Sequence, residues 1–150
     1  SPTQQQALWP IVIGVLAFER EKYEDAKELF EAISPDIHPV YALTAKVFAC
    51  MTLFELWHHQ VEHIEPEKQF FEAWRGLQHF LQYRARQLPS SLHASAKVFS
   101  EAIHLLFLGP SHPRSAANMR AMLAGSPQPL MGKWLKKTYH MVYRDSVAMD

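Results

Sequence analysis

Proline and glycine cut this chain into lengths whose apolar residues recur every three or four positions, and no stretch between the cuts alternates as a strand does. Pro35, Pro39, Pro66, Pro89, Pro110, Pro113, Pro127 and Pro129 fall between the periodic segments. There a missing N–H costs nothing, because the first helical turn has no use for it. No Asn-Gly or Asp-Gly pair offers a strand hairpin turn. The pattern predicts an all-α chain of about seven helices, near residues 5–21, 23–33, 39–60, 66–87, 90–108, 113–123 and 130–144. Short connections between long helices make neighbours antiparallel, hence helical hairpins, which assemble either as a closed bundle or as an open solenoid.

The individual segments carry different loads. In the third, Val40, Leu43, Val47, Met51 and Phe54 are flanked by Tyr41, Phe48 and Leu56, too wide an apolar sector for a surface helix, so it is read as central and heavily buried. The fourth sets Phe70, Trp74, Leu77, Leu81 and Leu88 on one face. Ser90 and Ser91 are read as caps of the fifth, which sets Leu92, Phe99, Ile103 and Leu106 at core spacing and stops at Gly109-Pro110. The run Ala7 to Phe18 is apolar throughout but shorter than the roughly 20 residues a membrane span needs. Without a basic leader it does not read as a signal peptide either, and a buried helix is expected.

One internal unit is legible. Gly14, Ala26 twelve residues on and Phe30 four further give a small–small–aromatic spacing, and Lys22-Tyr-Glu-Asp-Ala-Lys-Glu-Leu-Phe30 surrounds its second half. Over residues 8–39 this resembles the tetratricopeptide repeat, in divergent form: Pro10 stands where an aromatic is usual, with Trp9 beside it, and Pro39 comes one residue late. The resemblance implies a right-handed array of stacked helical hairpins that works as a protein-binding scaffold, with Gly14, Ala26 and Phe30 as its packing residues. A strict period of 34 residues does not continue past residue 40.

Composition sets the outer limits. At 150 residues with 48% hydrophobic and 20% charged side chains, the chain is long and apolar enough for one packed domain, expected to be cytoplasmic. Its start without Met fits a fragment of a longer protein. Cys50, the one cysteine, allows no internal disulfide and lies in an apolar stretch, where a buried inert thiol is expected. Net charge is zero, yet residues 1–75 hold six Lys/Arg against twelve Asp/Glu, and residues 76–150 hold nine against three. Such asymmetry bears on partners rather than on fold.

No residue pattern for catalysis emerges. Nine histidines include His58, His59 and His63, and the last two would share a helix face if the third helix ran on. The His-Glu-x-x-His order is missing, however, and a third ligand at set spacing is not visible, so solvated histidines at a helix end are expected rather than a metal site. There is no Gly-x-Ser-x-Gly elbow and no glycine-rich phosphate loop. No cofactor is expected, and the chain reads as a non-enzyme.

The strongest surface signal is at the C-terminus. Lys133, Lys136, Lys137 and Arg144 stand among Trp134, Leu135, Met141 and Val142, with no acid before Asp145. A basic amphipathic helix of this kind either caps an array or binds an acidic partner, and Lys133, Trp134, Lys136, Lys137 and Arg144 are the candidate partner-binding residues. Arg114 and Arg120 extend the basic character. The expectation is a protein partner, with nucleic acid or another anion as the alternative, no membrane span, and a monomer or homodimer.

Overall fold

The computed structural model describes residues 2–34 and 36–144. Among the described residues it is all-helical, with no strand and seven α-helices. These are α1 Pro2–Glu19, α2 Tyr23–Glu31, α3 Pro39–His58, α4 Pro66–Tyr83, α5 Ser90–Leu108, α6 Ser115–Ala124 and α7 Gly132–Val142, with short 3-10 turns at Glu62–Ile64 and Ala85–Gln87. They form two compact units, one running to Gln87 and the other beginning at Leu88.

In the first unit α1 packs on α2 and α3, α2 packs on α3, and α3 packs on α4. The aromatic rings explain the order. Phe48 of α3 meets Phe18 of α1 edge-on at 5.5 Å and stacks on Phe30 of α2 at 5.7 Å. Phe54, one and a half turns along, reaches Phe70 of α4 at 6.2 Å. Such pairs contribute roughly 0.5–1.5 kcal/mol each beyond the area they bury. Being covered by three helices, α3 is the central helix its wide apolar sector predicts. By length and composition it is also the one described helix able to cross a membrane, but 67% of that stretch is buried within the fold. Cys50 is fully buried in it, and burial pushes the thiol up to about 12, leaving no thiolate for chemistry.

The helix stops carry information that residue type alone conceals. After α1, the Lys22 N–H bonds Ala17 O at 2.8 Å and the Glu21 N–H bonds Phe18 O at 2.9 Å, with Glu21 left-handed at φ 60°. After α3, Val61 N–H to Leu56 O and Gln60 N–H to Trp57 O repeat the arrangement, with Gln60 at φ 58°. Both are Schellman closures made without glycine, so each helix ends a little before the sequence pattern suggests. At its start α3 is capped by His38, whose Nδ1 accepts the Val40 N–H at 3.2 Å, with Pro39 in the first turn.

In the second unit α5 packs on α6 and α7, and α6 packs on α7. Phe99, Ile103, Leu106, Met119, Leu135 and Tyr143 are completely or nearly completely buried. Ser90 and Ser91 do not cap α5: Pro89 occupies the cap position in extended geometry, and no side chain bonds the first turn. Ser115 and Tyr143 instead supply a buried polar tie. The Ser115 hydroxyl donates to Gly109 O at 2.9 Å, the Tyr143 hydroxyl donates to Leu105 O at 3.0 Å, and the two hydroxyls touch one another. Leu105 O also accepts the Gly109 N–H and Gly109 O the His112 N–H, so the two hydroxyls occupy second lone pairs on carbonyls that the backbone already pairs. Leu130 N–H to Ser95 O, at 3.1 Å, holds the segment entering α7 against α5.

Candidate functional site

Gly14 and Phe30 meet in the first unit. Ala26 is fully buried, and Phe30 is nearly so. A Cβ added at Gly14 would stand 2.8 Å from both Cε1 and Cζ of Phe30, so the ring lies directly on the α1 backbone. Such closeness requires a residue without a Cβ. The spacing noted in the sequence thus corresponds to a real α1–α2 contact.

The opposite side of α1 departs from expectation. The apolar run through Phe18 reads as a buried helix, yet Trp9 is 65% exposed, Leu16 48%, Val12 39% and Ile13 36%. These positions are related by three, four and seven residues, which places them on one helix face. Ile11, Gly14, Ala17 and Phe18 take the inward side. Because α1 is apolar all round, periodicity cannot distinguish the face that packs from the face left over. Beside this stripe runs a groove of about 520 Å³ between α1 and α2, lined by Ile13, Leu16, Ala17 and Leu29 and rimmed by Arg20, Lys22, Asp25 and Glu28. Its floor is apolar and its rim carries both signs of charge.

The C-terminal candidates divide in a different way. Lys133, Lys136 and Lys137 are exposed on α7, as are His140 one turn further and Arg144 beyond the helix end. None of the four Lys and Arg groups has an ion-pair partner among the described residues. The apolar face is already in use: Leu135 is fully buried, Tyr139 nearly so, and Trp134, Met141 and Val142 are half-buried. Trp134 is therefore not a freely presented aromatic, and α7 offers charge to solvent rather than an amphipathic surface. Arg114, left-handed at φ 61°, and Arg120 are exposed at the start and middle of α6.

The histidines are drawn apart. Since α3 ends at His58, His59 and His63 share no helix face. His59 Nδ1 contacts Glu55 O at 2.7 Å and the Glu55 carboxylate at 3.6 Å, while His63 Nε2 pairs with Glu24 of α2 at 2.7 Å. Among the described residues no three His, Cys, Asp or Glu side chains are grouped so as to hold a metal ion.

The α3–α4 corner forms a second concavity, of about 580 Å³. Half-buried Trp57, Val61 and Phe71 supply its apolar walls, and Glu62, Glu65, Glu67 and Lys68 stand around it. Nothing in the sequence pattern marks this corner, because its residues come from a helix end, a 3-10 turn and the next helix start. No known protein family, no curated protein and no solved structure matches the chain.

Proposed function

We propose that this chain is a non-enzymatic protein-interaction domain whose docking surface is the outer face of α1 with the adjoining α1–α2 groove. The observation that carries this reading is the stripe Trp9, Val12, Ile13 and Leu16, exposed at consecutive positions of one helix face. Large apolar side chains scattered singly are ordinary, but a contiguous row of them marks an interaction site. The occupant is a helix of a partner protein. A ridge at i, i+3, i+4 and i+7 suits the ridge-into-groove packing of a second helix, and the mixed charges of the rim match the flanks of an amphipathic one.

The tetratricopeptide-like array belongs to the same proposal. It is supported by the Gly14–Phe30 contact, by the buried Ala26, and by the order of packing in which α1 touches α2 and α3 while α3 takes α4. In such an array a partner helix continues the stack that α1 begins. The test places a photo-crosslinking residue at position 13, identifies the protein captured, and measures its affinity for the chain and for Leu16→Asp. Binding should fall at least tenfold with an unchanged melting temperature, a loss of about 1.4 kcal/mol or more. Equal affinity of the variant removes the α1 face from the proposal, and concentration-dependent self-association identifies a second copy as the occupant.

The cations of α7 favour a second reading, an anion-binding face that takes nucleic acid or an acidic protein. Lys133, Lys136 and Lys137 form an exposed stripe with no described acid paired to them. Binding to a nucleic-acid duplex would weaken steeply with added salt as counterions are released. A flat salt response, or one unchanged in Lys136→Glu/Lys137→Glu, eliminates this reading.

A further inference from the structure

We infer that the cleft at the α3–α4 corner binds an organic cation with an alkyl stem, the side chain of an arginine or lysine on a protein partner. The cleft is distinct from the α1 face, and either site can be right without the other.

The corner is built as a fixed receptacle. Gln60 closes α3 in left-handed geometry, and Glu65 enters α4 in the same conformation at φ 49° immediately before Pro66. Between them the chain is pinned on both sides: Val61 N–H bonds back to Leu56 O at 3.0 Å, and the Gln69 side-chain amide bonds Ile64 O. His63, in the middle of the turn, pairs outward with Glu24 at 2.7 Å. The turn is therefore tied to α2, α3 and α4, and the concavity does not depend on a loose loop.

Its walls and rim point to one kind of ligand. Trp57 and Phe71 present aromatic surface and Val61 aliphatic surface to a volume of about 580 Å³, room enough for one long side chain with the backbone that carries it. Glu62, Glu65 and Glu67 place three carboxylates around those walls against the single cation Lys68. None of the three has an ion-pair partner among the described residues, so their charge is available. An anionic ligand would meet net repulsion, and a purely apolar one would leave carboxylates facing a desolvated surface at a cost. A cation with a methylene stem satisfies both parts: the stem covers Val61 and the rings, the head is attracted to the aromatic faces, and the carboxylates accept its N–H groups. Arginine suits this best, because its planar guanidinium stacks on a ring while bonding carboxylates with its edge.

The experiment titrates the whole chain with the peptide acetyl-Gly-Arg-Gly-amide, watching the Trp57 indole and Phe71 ring resonances. The same peptide with citrulline, the neutral isostere of arginine, is the control. Saturable shifts at millimolar arginine peptide are expected, with at least about tenfold weaker response to citrulline. Glu62→Gln/Glu65→Gln/Glu67→Gln should lose the arginine preference while keeping the wild-type spectrum elsewhere, and Leu16→Asp should keep it in full. Because all three glutamates are exposed, the triple variant should fold; Phe71→Leu gives an independent check through the apolar wall. Absence of shifts up to about 10 mM peptide, or equal shifts with citrulline, overturns the inference and leaves the α1 proposal standing.

Discussion

Helices α1 and α7 divide their apolar residues between core and solvent in opposite ways. The first is apolar from Ala7 to Phe18 and reads as core, yet it turns Trp9, Val12, Ile13 and Leu16 to solvent. The last is visibly amphipathic and reads either as a cap or as a binding element; Leu135 and Tyr139 are buried in a unit where α7 packs on α5 and α6, leaving its lysines outside. The difference lies in the number of neighbours. An amphipathic helix has one face that must be covered, and a small unit covers it. A helix apolar on every side needs neighbours all round, and among the described residues α1 packs on α2 and α3 from one side. Apolar surface in excess of the available neighbours is what a partner can use.

The largest expected effect tests that difference directly. Leu135→Ala should cost about 2–5 kcal/mol, since it empties a fully buried site between helices. Leu16→Ala, although it removes the same atoms, should stay within about 0.5 kcal/mol, because its side chain is already half in water. Denaturant midpoints of the two variants provide the comparison. Equal losses would mean that the α1 stripe is packed in solution and is not a free face.

A smaller effect probes the inward side of α1. Gly14→Ala removes a helix-interior glycine, which alone would stabilise by about 1 kcal/mol. The new Cβ, however, meets the Phe30 ring at 2.8 Å, and that ring is held by stacking on Phe48. Overpacking of this kind costs about 1–3 kcal/mol, so the net change should be a loss of up to about 2 kcal/mol in thermal or denaturant unfolding. Combining it with Phe30→Leu should recover part of the Gly14→Ala loss, measured against Phe30→Leu alone. A stabilising Gly14→Ala would show that α1 does not sit as close to α2 as the ring contact requires.

Helix content was legible in the sequence because proline punctuation and three-to-four periodicity act locally. Central α3 was legible for the same reason: its apolar sector is too wide to be anything else. The Gly14–Phe30 approach was legible in part, because a glycine inside an apolar helical run suggests a place where another side chain lies against the backbone. Other features depend on geometry that residue type does not encode. Glu21 and Gln60 end helices in a conformation usually given to glycine, so their stops carry no glycine to read. His59 and His63 lie four apart in sequence, but the stop at His58 separates them. The α3–α4 cleft assembles Trp57, Glu65 and Phe71 from three elements, none with a pattern of its own.

The smallest expected effect is linked to pH and acts on the unit that contains α7. Burial, reinforced by the charge of His112, holds His104 of α5 below the usual histidine pKa of 6.5. The unfolded chain therefore takes up its proton first as the solution is acidified. His104 accordingly contributes its stability in full above about pH 6.5 and loses it as pH falls through the lower folded value. The group is only partly buried, so solvent screening keeps the effect modest. Trp134 is the one tryptophan beyond residue 87, whereas Trp9, Trp57 and Trp74 precede it, so their indole resonances report on the two units separately. Between pH 7 and pH 5 the urea midpoint read at Trp134 should decline, and His104→Gln should flatten that decline while leaving the response at Trp57 and Trp74 as it was. A decline of the same steepness in the variant would assign the acid sensitivity to other groups and separate it from the burial that distinguishes α5 and α7 from the outer face of α1.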